Sequence, residues 1–282
     1  MRTGLVLAGG GVAGVAWELG VLLGIQDVDP ELAAAVLAAD VVVGTSAGSV
    51  VAAQLASGTS LADLNAKQLS PTSTTEIDVD VNLPDLVVKL GAAAQGATSR
   101  QEALRRIGAM ALTTATVDEA ARRAVIASRL PVHTWPNRVL LVTAVDAETG
   151  EPVVFTRESG VELVDAIAAS CAVPGVWPTV TVNGRRLMDG GMRSPTNADL
   201  AAGCDKVLVL TPQPEDTPSP WNRLAEEIEL LGPADVRVVH GDEASMAAFG
   251  DNPLSLATRG PAARAGRDVG RREAPSVAKF WH

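Results

Sequence analysis

Tyrosine is absent from this 282-residue chain, and phenylalanine and histidine occur three times each. Little is therefore available for aromatic recognition platforms or for histidine-rich metal sites. The two cysteines, Cys171 and Cys204, are too few for a disulfide framework and stand at no metal-ligand spacing. Isolated thiols of this kind suit a reducing compartment. Long apolar runs are also missing. Arg2 with Leu5-Val6-Leu7-Ala8 has the opening of a secretory leader, but Gly9, Gly10 and Gly11 break its helix and Glu18 interrupts any longer span. The segment reads as strand, loop and helix, and the expected location is cytoplasmic. Positive charge is in deficit, with a net charge of −10. That argues against a nucleic-acid partner and against electrostatic docking on anionic lipid, while leaving ester substrates open. The 47% hydrophobic content suits a large core, and no charged or low-complexity linker divides the chain. One domain over residues 1–282 is expected.

The most informative stretch is residues 41–48. Val41-Val42-Val43 reads as a short buried strand. It stops at Gly44-Thr45-Ser46-Ala47-Gly48, a G-x-S-x-G, and residues 50–56 follow as a helix. Strand, sharp turn and helix form the setting a nucleophile elbow requires. Gly44 and Gly48 supply the small flanking positions, and Ser46 would stand at the strand's end over the positive end of the helix. A glycine-rich turn with an N-capping serine fits the same residues.

Upstream, a strand over residues 3–8 runs into Gly9-Gly10-Gly11-Val12-Ala13-Gly14, and an apolar helix follows. Gly9, Gly11 and Gly14 match G-x-G-x-x-G, the fingerprint of a dinucleotide site. Such a site wants an acidic residue at the end of the next strand, to hold the ribose. Here that strand ends at Gly44-Thr45-Ser46, and Asp40 precedes it. An anion-stabilising loop beside a nucleophile is the better use of these glycines.

Downstream, a helix at 61–69 ends in a loop at 70–75. Helices are then expected at 83–95, 99–112 and 117–129, the second opened by a capping box at Ser99-Arg100-Gln101-Glu102. Together they form a helical insertion, about 83–129, between the second and third strands. It either covers an active site or simply packs on one face of a sheet. Strands at 138–145 and 152–156 make a hairpin, and a helix over 161–170 ends at Pro174-Gly175. A second hairpin turns at Asn183-Gly184 and delivers Asp189-Gly190-Gly191. Asp189 is either a carboxylate on a closely approaching backbone or a turn aspartate capping its loop. A strand at 206–211, an acidic Pro-rich loop at 212–220, a helix at 221–231 and a strand at 235–239 follow. Beyond Asn252-Pro253, small residues at Ala262, Ala263, Ala265 and Gly266 suit a helix packed closely on the body with a basic outer face. Both cysteines read as packed rather than reactive.

Four motifs, Gly9-Gly10-Gly11-Val12-Ala13-Gly14, Gly44-Thr45-Ser46-Ala47-Gly48, Ala169-Ser170-Cys171-Ala172-Val173-Pro174 and Asp189-Gly190-Gly191, occur in the order seen in patatin-like phospholipases. The likeness extends over most of the chain and is least diagnostic at 83–129. The resemblance implies a three-layer α/β/α fold with a mostly parallel central sheet, and a Ser-Asp dyad rather than a triad. Ser46 would match the nucleophile, Asp189 the base, and Gly9, Gly10 and Gly11 the oxyanion hole. Gly14, Gly44, Gly48, Gly190 and Gly191 complete the motifs. The chain departs from the family at Ala13, where Arg or Lys is usual, which bears on loop anchoring and anion affinity. The implied activity is hydrolysis of lipid carboxylic esters, with neither metal nor cofactor. The expected partners are a lipid or ester substrate and, transiently, a membrane surface.

The chemistry can also be argued from the residues. A serine hydroxyl is a weak nucleophile and needs an adjacent base, and Asp189 could reach it only through the fold. A Ser-His-Asp esterase is the competing reading, with Ser46, Asp189 and His240 in the chain order of that triad. His240 sits among Gly241, Asp242 and Glu243, as in a solvated turn, and His133 and His282 have no supporting context. A degenerate, non-catalytic scaffold that binds lipid or a partner is the third reading, kept open by Ala13.

Overall fold

Short β-branched runs alternate with helical segments along this chain, and in the computed structural model, described for residues 1–70, 76–215 and 222–282, they build one eight-stranded sheet with helices around it. β1 (Thr3–Leu7) leads into α1 (Gly11–Val28) and α2 (Pro30–Leu37). β2 (Val41–Gly44) leads into α3 (Ala47–Ala56) and α4 (Leu61–Leu69). The insertion comprises α5 (Leu83–Ala94), α6 (Arg100–Thr113) and α7 (Glu119–Arg129). Then come β3 (Val139–Asp146), β4 (Pro152–Phe155), α8 (Leu163–Ser170), β5 (Val180–Val182) and β6 (Arg185–Asp189). The chain finishes with β7 (Lys206–Thr211), α9 (Leu224–Leu230), β8 (Asp235–His240), α10 (Glu243–Phe249) and α11 (Arg259–Trp281).

The strand order is β5-β6-β3-β2-β1-β7-β8, with β4 also paired to β3. β3, β2, β1, β7 and β8 run parallel; at one side β4 and β6 each pair antiparallel with β3, and β5 pairs antiparallel with β6. Alternation along β1 shows why the sheet is covered on both faces. Leu5 and Leu7 join a core with α1, α3, α8 and α11, whereas Val6 joins Val43, Val207 and Leu231 on the other side. The hairpin turn has Asn183 at φ 49° and Gly184 at φ 77°, the two positive values a two-residue primed turn needs.

α1 is long and apolar enough to cross a membrane, but 78% of it is buried inside the protein. Burial also holds the Glu18 carboxyl well above the usual carboxylate range, because the charged form is disfavoured inside the core. α11 lies along α1 because both helices lack side chains at the contact. A Cβ on Gly20 or Gly24 would overlap carbonyl oxygens of α11, and one on Gly266 or Gly270 would overlap those of α1.

Several expectations shift by local chemistry. α7 starts at Glu119, later than expected, because the Asp118 carboxylate accepts from the N–H groups of Ala120 and Ala121. At α6, Ser99 caps the Glu102 N–H as expected, but the Glu102 carboxylate turns to Thr98 and Arg106 instead of closing the box on Ser99. The outer face of α11 is not simply basic. Arg267 and Arg271 both pair with Asp27, and Arg272 pairs with Asp242. Residues 71–75 and 216–220 of the two expected loops, and Trp221 of the expected helix, lie outside the described residues.

Candidate active site

At the end of β2 the chain turns through Thr45 and Ser46 into α3, with Ser46 at φ 51° and ψ −114°. A non-glycine residue in such a conformation carries strain on the order of 1–3 kcal/mol, sustained only where its surroundings over-determine it. They do so here. The Thr45 N–H donates to the Leu7 carbonyl at 3.0 Å, the Gly48 N–H to the Ala8 carbonyl at 3.0 Å, and the Ser46 N–H to Ser170 Oγ at 2.8 Å. No side chain fits at Gly44 or Gly48, since a Cβ would meet the Ser49 backbone or the Leu7 carbonyl. The Ser46 hydroxyl makes no capping bond to α3 and donates instead to Asp189 Oδ2 at 2.7 Å. An N-capping turn serine does not describe this geometry.

Asp189 arrives through strand register. Ala144 of β3 pairs with Asp189 of β6, and Val142 of β3 pairs with Gly44 of β2, so both functional ends reach the same rim of the sheet. The Asp189 N–H donates to the Ala172 carbonyl at 2.9 Å, and its Oδ1 accepts from the Gly191 N–H at 2.7 Å. Gly190 has no room for a Cβ against Thr143. The carboxyl is 2% exposed. Burial pushes its pKa up to about 7, against the lowering effect of the Ser46 and Gly191 hydrogen bonds and of the Arg122 charge.

The glycine loop lies beside the serine, and a Cβ on Gly9 would sit 3.5 Å from Ser46 Cβ. The Gly9 N–H is committed to the Pro195 carbonyl at 2.8 Å. The N–H groups of Gly10 and Gly11, at the start of α1, meet no acceptor among the described residues. Gly14 packs against Ala47, and the buried Ala13 donates its N–H to the Pro253 carbonyl at 2.9 Å. A cavity of about 430 Å³ opens from this point. Its polar end holds Ser46 and Asp189, and its walls are apolar, with Leu86 and Leu90 of α5, Val173 and Phe249 among them. α5 therefore walls the site, while α7 binds α8 through Arg123 and Asp165.

Residues 5–202 match the family described as patatin-like phospholipase, which is most of the chain. The chain belongs to the patatin-like phospholipase family. It is accordingly a lipid acyl hydrolase at the level of its family. Among curated proteins no relative matches the sequence. Similar solved structures are VipD from Legionella pneumophila, 13% identical with a TM-score of 0.47, and the type III effector protein ExoU, 17% identical with a TM-score of 0.36. The first comparison covers 98% of this chain and 67% of VipD, the second 95% of this chain and 53% of ExoU. The chain thus spans about half the length of ExoU.

Within this patatin-like phospholipase, His240 makes no hydrogen bond to Ser46 or Asp189. It ends β8 at the far side of the sheet, its Nδ1 lies 3.2 Å from the Gln213 carbonyl, and both Asp189 oxygens are already engaged. Cys171 lies under the elbow, with its Sγ donating to the Ser46 carbonyl at 3.4 Å. Burial pushes that thiol up to about 11, which disfavours the reactive thiolate. Three contributors went unassigned in the sequence. Ser170 lies in a quoted motif and could have been suspected from it. Asn197, at φ 50°, ties the site together by donating from Nδ2 to Thr45 Oγ1 at 3.0 Å and to the Ser194 carbonyl at 2.6 Å. Arg122 carries no local signal, since its helix reads as an ordinary amphipathic one.

Proposed function

We propose that this protein hydrolyses carboxylic esters of lipids, in the manner of a phospholipase A or lysophospholipase, through the Ser46-Asp189 dyad. The observation that carries this reading is the 2.7 Å contact from Ser46 Oγ to Asp189 Oδ2 at the polar end of an apolar cavity. Ser46 Oγ attacks the ester carbonyl carbon while its proton passes to Asp189. The oxyanion forms against the N–H groups of Gly10 and Gly11, and Gly9 lets the loop approach the serine. As the tetrahedral intermediate collapses, Asp189 returns that proton to the departing alkoxide, releasing the alcohol and leaving an acyl group on Ser46. Water then adds to the acyl carbonyl, giving its proton to Asp189, and collapse frees the carboxylic acid and restores the serine hydroxyl. A carboxyl with its pKa near 7 takes and gives protons at neutral pH far more evenly than an ordinary aspartate.

The acyl chain would lie along Leu86, Leu90 and Phe249. Leu83, Val87 and Val88 of α5 are exposed, and Leu83 and Val87 also line the cavity, which supports transient contact with a lipid surface. The two buried thiols fit a cytoplasmic setting, and strands from both ends of the chain in one sheet support a single domain over 1–282. Turnover of a medium-chain nitrophenyl ester tests the dyad. Ser46→Ala and Asp189→Asn should each lose about a thousandfold or more in kcat, and His240→Ala no more than a few-fold. Loss in His240→Ala equal to that in Ser46→Ala would restore the triad in place of the dyad.

A further inference from the structure

Arg122 lies on α7 and is 4% exposed. Its guanidinium carbon stacks 3.7 Å over the Trp177 ring centroid, which holds the group in place. Its Nε and Nη1 are closed to solvent and meet no acceptor. Burial lowers its pKa only to about 10, so the group stays protonated at neutral pH. A buried cation without a partner is costly, and strongly perturbed groups of this kind concentrate at functional sites.

Arg122 borders a small cavity of about 20 Å³ beside the elbow, with room for an oxygen-sized group. Gly11, Ser46 and Ala47 line it too. The N–H groups of Gly11 and Ala47 meet no acceptor among the described residues. Ala47 follows the nucleophile, the position whose N–H contributes to the oxyanion hole at a nucleophile elbow. Arg129 also lines this cavity, but Glu76 holds it bidentately at 2.8 and 2.6 Å, so the uncompensated charge at this wall is that of Arg122.

The division of residues between the two cavities gives that charge a direction. Asp189 lines the apolar cavity and not the small one, Arg122 and Ala47 line the small one and not the apolar one, and Ser46 and Gly11 line both. When Ser46 Oγ bonds to the ester carbonyl carbon, its proton passes to Asp189 and the carbon–oxygen π pair moves onto the carbonyl oxygen. Negative charge thereby leaves the Asp189 carboxylate and appears on the oxyanion. A fixed cation lowers the barrier only where it favours the place the charge reaches over the place it leaves. Arg122 meets that condition if the carbonyl oxygen enters the small cavity. Resting on the hydrolase reading above, we propose that this cavity takes the carbonyl oxygen of the scissile ester and that Arg122 supplies a fixed positive charge to it, beside the backbone N–H groups of the glycine loop and the elbow.

The test pairs rates with the binding of two ketones that share a decyl chain. The trifluoromethyl ketone accepts Ser46 Oγ at its carbonyl carbon and carries an oxyanion, whereas the methyl ketone occupies the site uncharged. Arg122→Gln should lower kcat/KM for a medium-chain nitrophenyl ester about ten- to a hundredfold on the high-pH plateau, mostly in kcat, and Arg122→Lys should recover part of the loss. Arg122→Gln should weaken the trifluoromethyl ketone by a similar factor and leave the methyl ketone within about twofold, which also shows that the variant is folded. A loss confined to an upward move of the pH inflection, with the plateau restored, would overturn the proposal and make Arg122 a positioning residue for Asp189. Equal weakening of both ketones, or of neither, would overturn it as well. If wild type neither turns over the ester nor prefers the fluorinated ketone, the hydrolase reading fails and takes this inference with it. An active wild type with an unaffected Arg122→Gln removes the inference alone.

Discussion

Replacing Asp189 by asparagine should remove a contribution to stability whose pH dependence runs opposite to that of most aspartates. A carboxyl that ionises near 4 in the unfolded chain and at about 7 when buried binds its proton more tightly in the folded state. Its contribution to stability is complete below the unfolded pKa and is lost as pH rises through the folded one. A separation of about 3 units corresponds to on the order of 4 kcal/mol over the full range, of which about 2–3 kcal/mol disappears between pH 5 and pH 8. Asparagine keeps the volume and does not titrate. Denaturant unfolding of both proteins at the two pH values removes contributions from all other groups by difference. The stability of Asp189→Asn relative to wild type should rise by about 2–3 kcal/mol from pH 5 to pH 8. A constant difference would mean that Asp189 ionises like a solvated aspartate, and the argument from burial would fail.

The same ionisation should appear in catalysis. The kcat/KM for a soluble ester should climb with unit slope below pH 7 and level off above it, and a flat profile from pH 5 to pH 9 would remove Asp189 as the base. Substituting Leu90, a buried cavity-lining residue of α5, by tryptophan should shorten the accepted acyl chain. In a chain-length series, kcat/KM for long-chain esters should fall about tenfold or more relative to short ones, whereas uniform loss would place the chain elsewhere.

Much of the architecture could be read from residues alone because its parts are local. The Asn183-Gly184 turn, the strand entering Gly44-Thr45-Ser46 and the Ser99 cap each depend on a few adjacent positions. The Ser46-Asp189 pairing was reached through the order of motifs, and register explains it, since β3 lies between the two strands that carry these residues. What escaped is assembled from separate segments. Asn197 acts by bridging Thr45 to the segment after Asp189, and Arg122 matters because α7 is turned toward Cys171 and Trp177. The small residues of α11 were legible, but their meaning lay in Gly20 and Gly24 of α1, distant in the chain. Likewise the arginines of α11 could not reveal that Asp27 was their partner.

The central claim, that Ser46 is activated by Asp189 without a histidine, is tested most directly by covalent capture with a fluorophosphonate followed by peptide mass mapping. The account predicts one adduct, on Ser46, formed by wild type and His240→Ala at similar rates and far more slowly by Asp189→Asn. An adduct on another residue, or labelling that depends on His240 and not on Asp189, would contradict it.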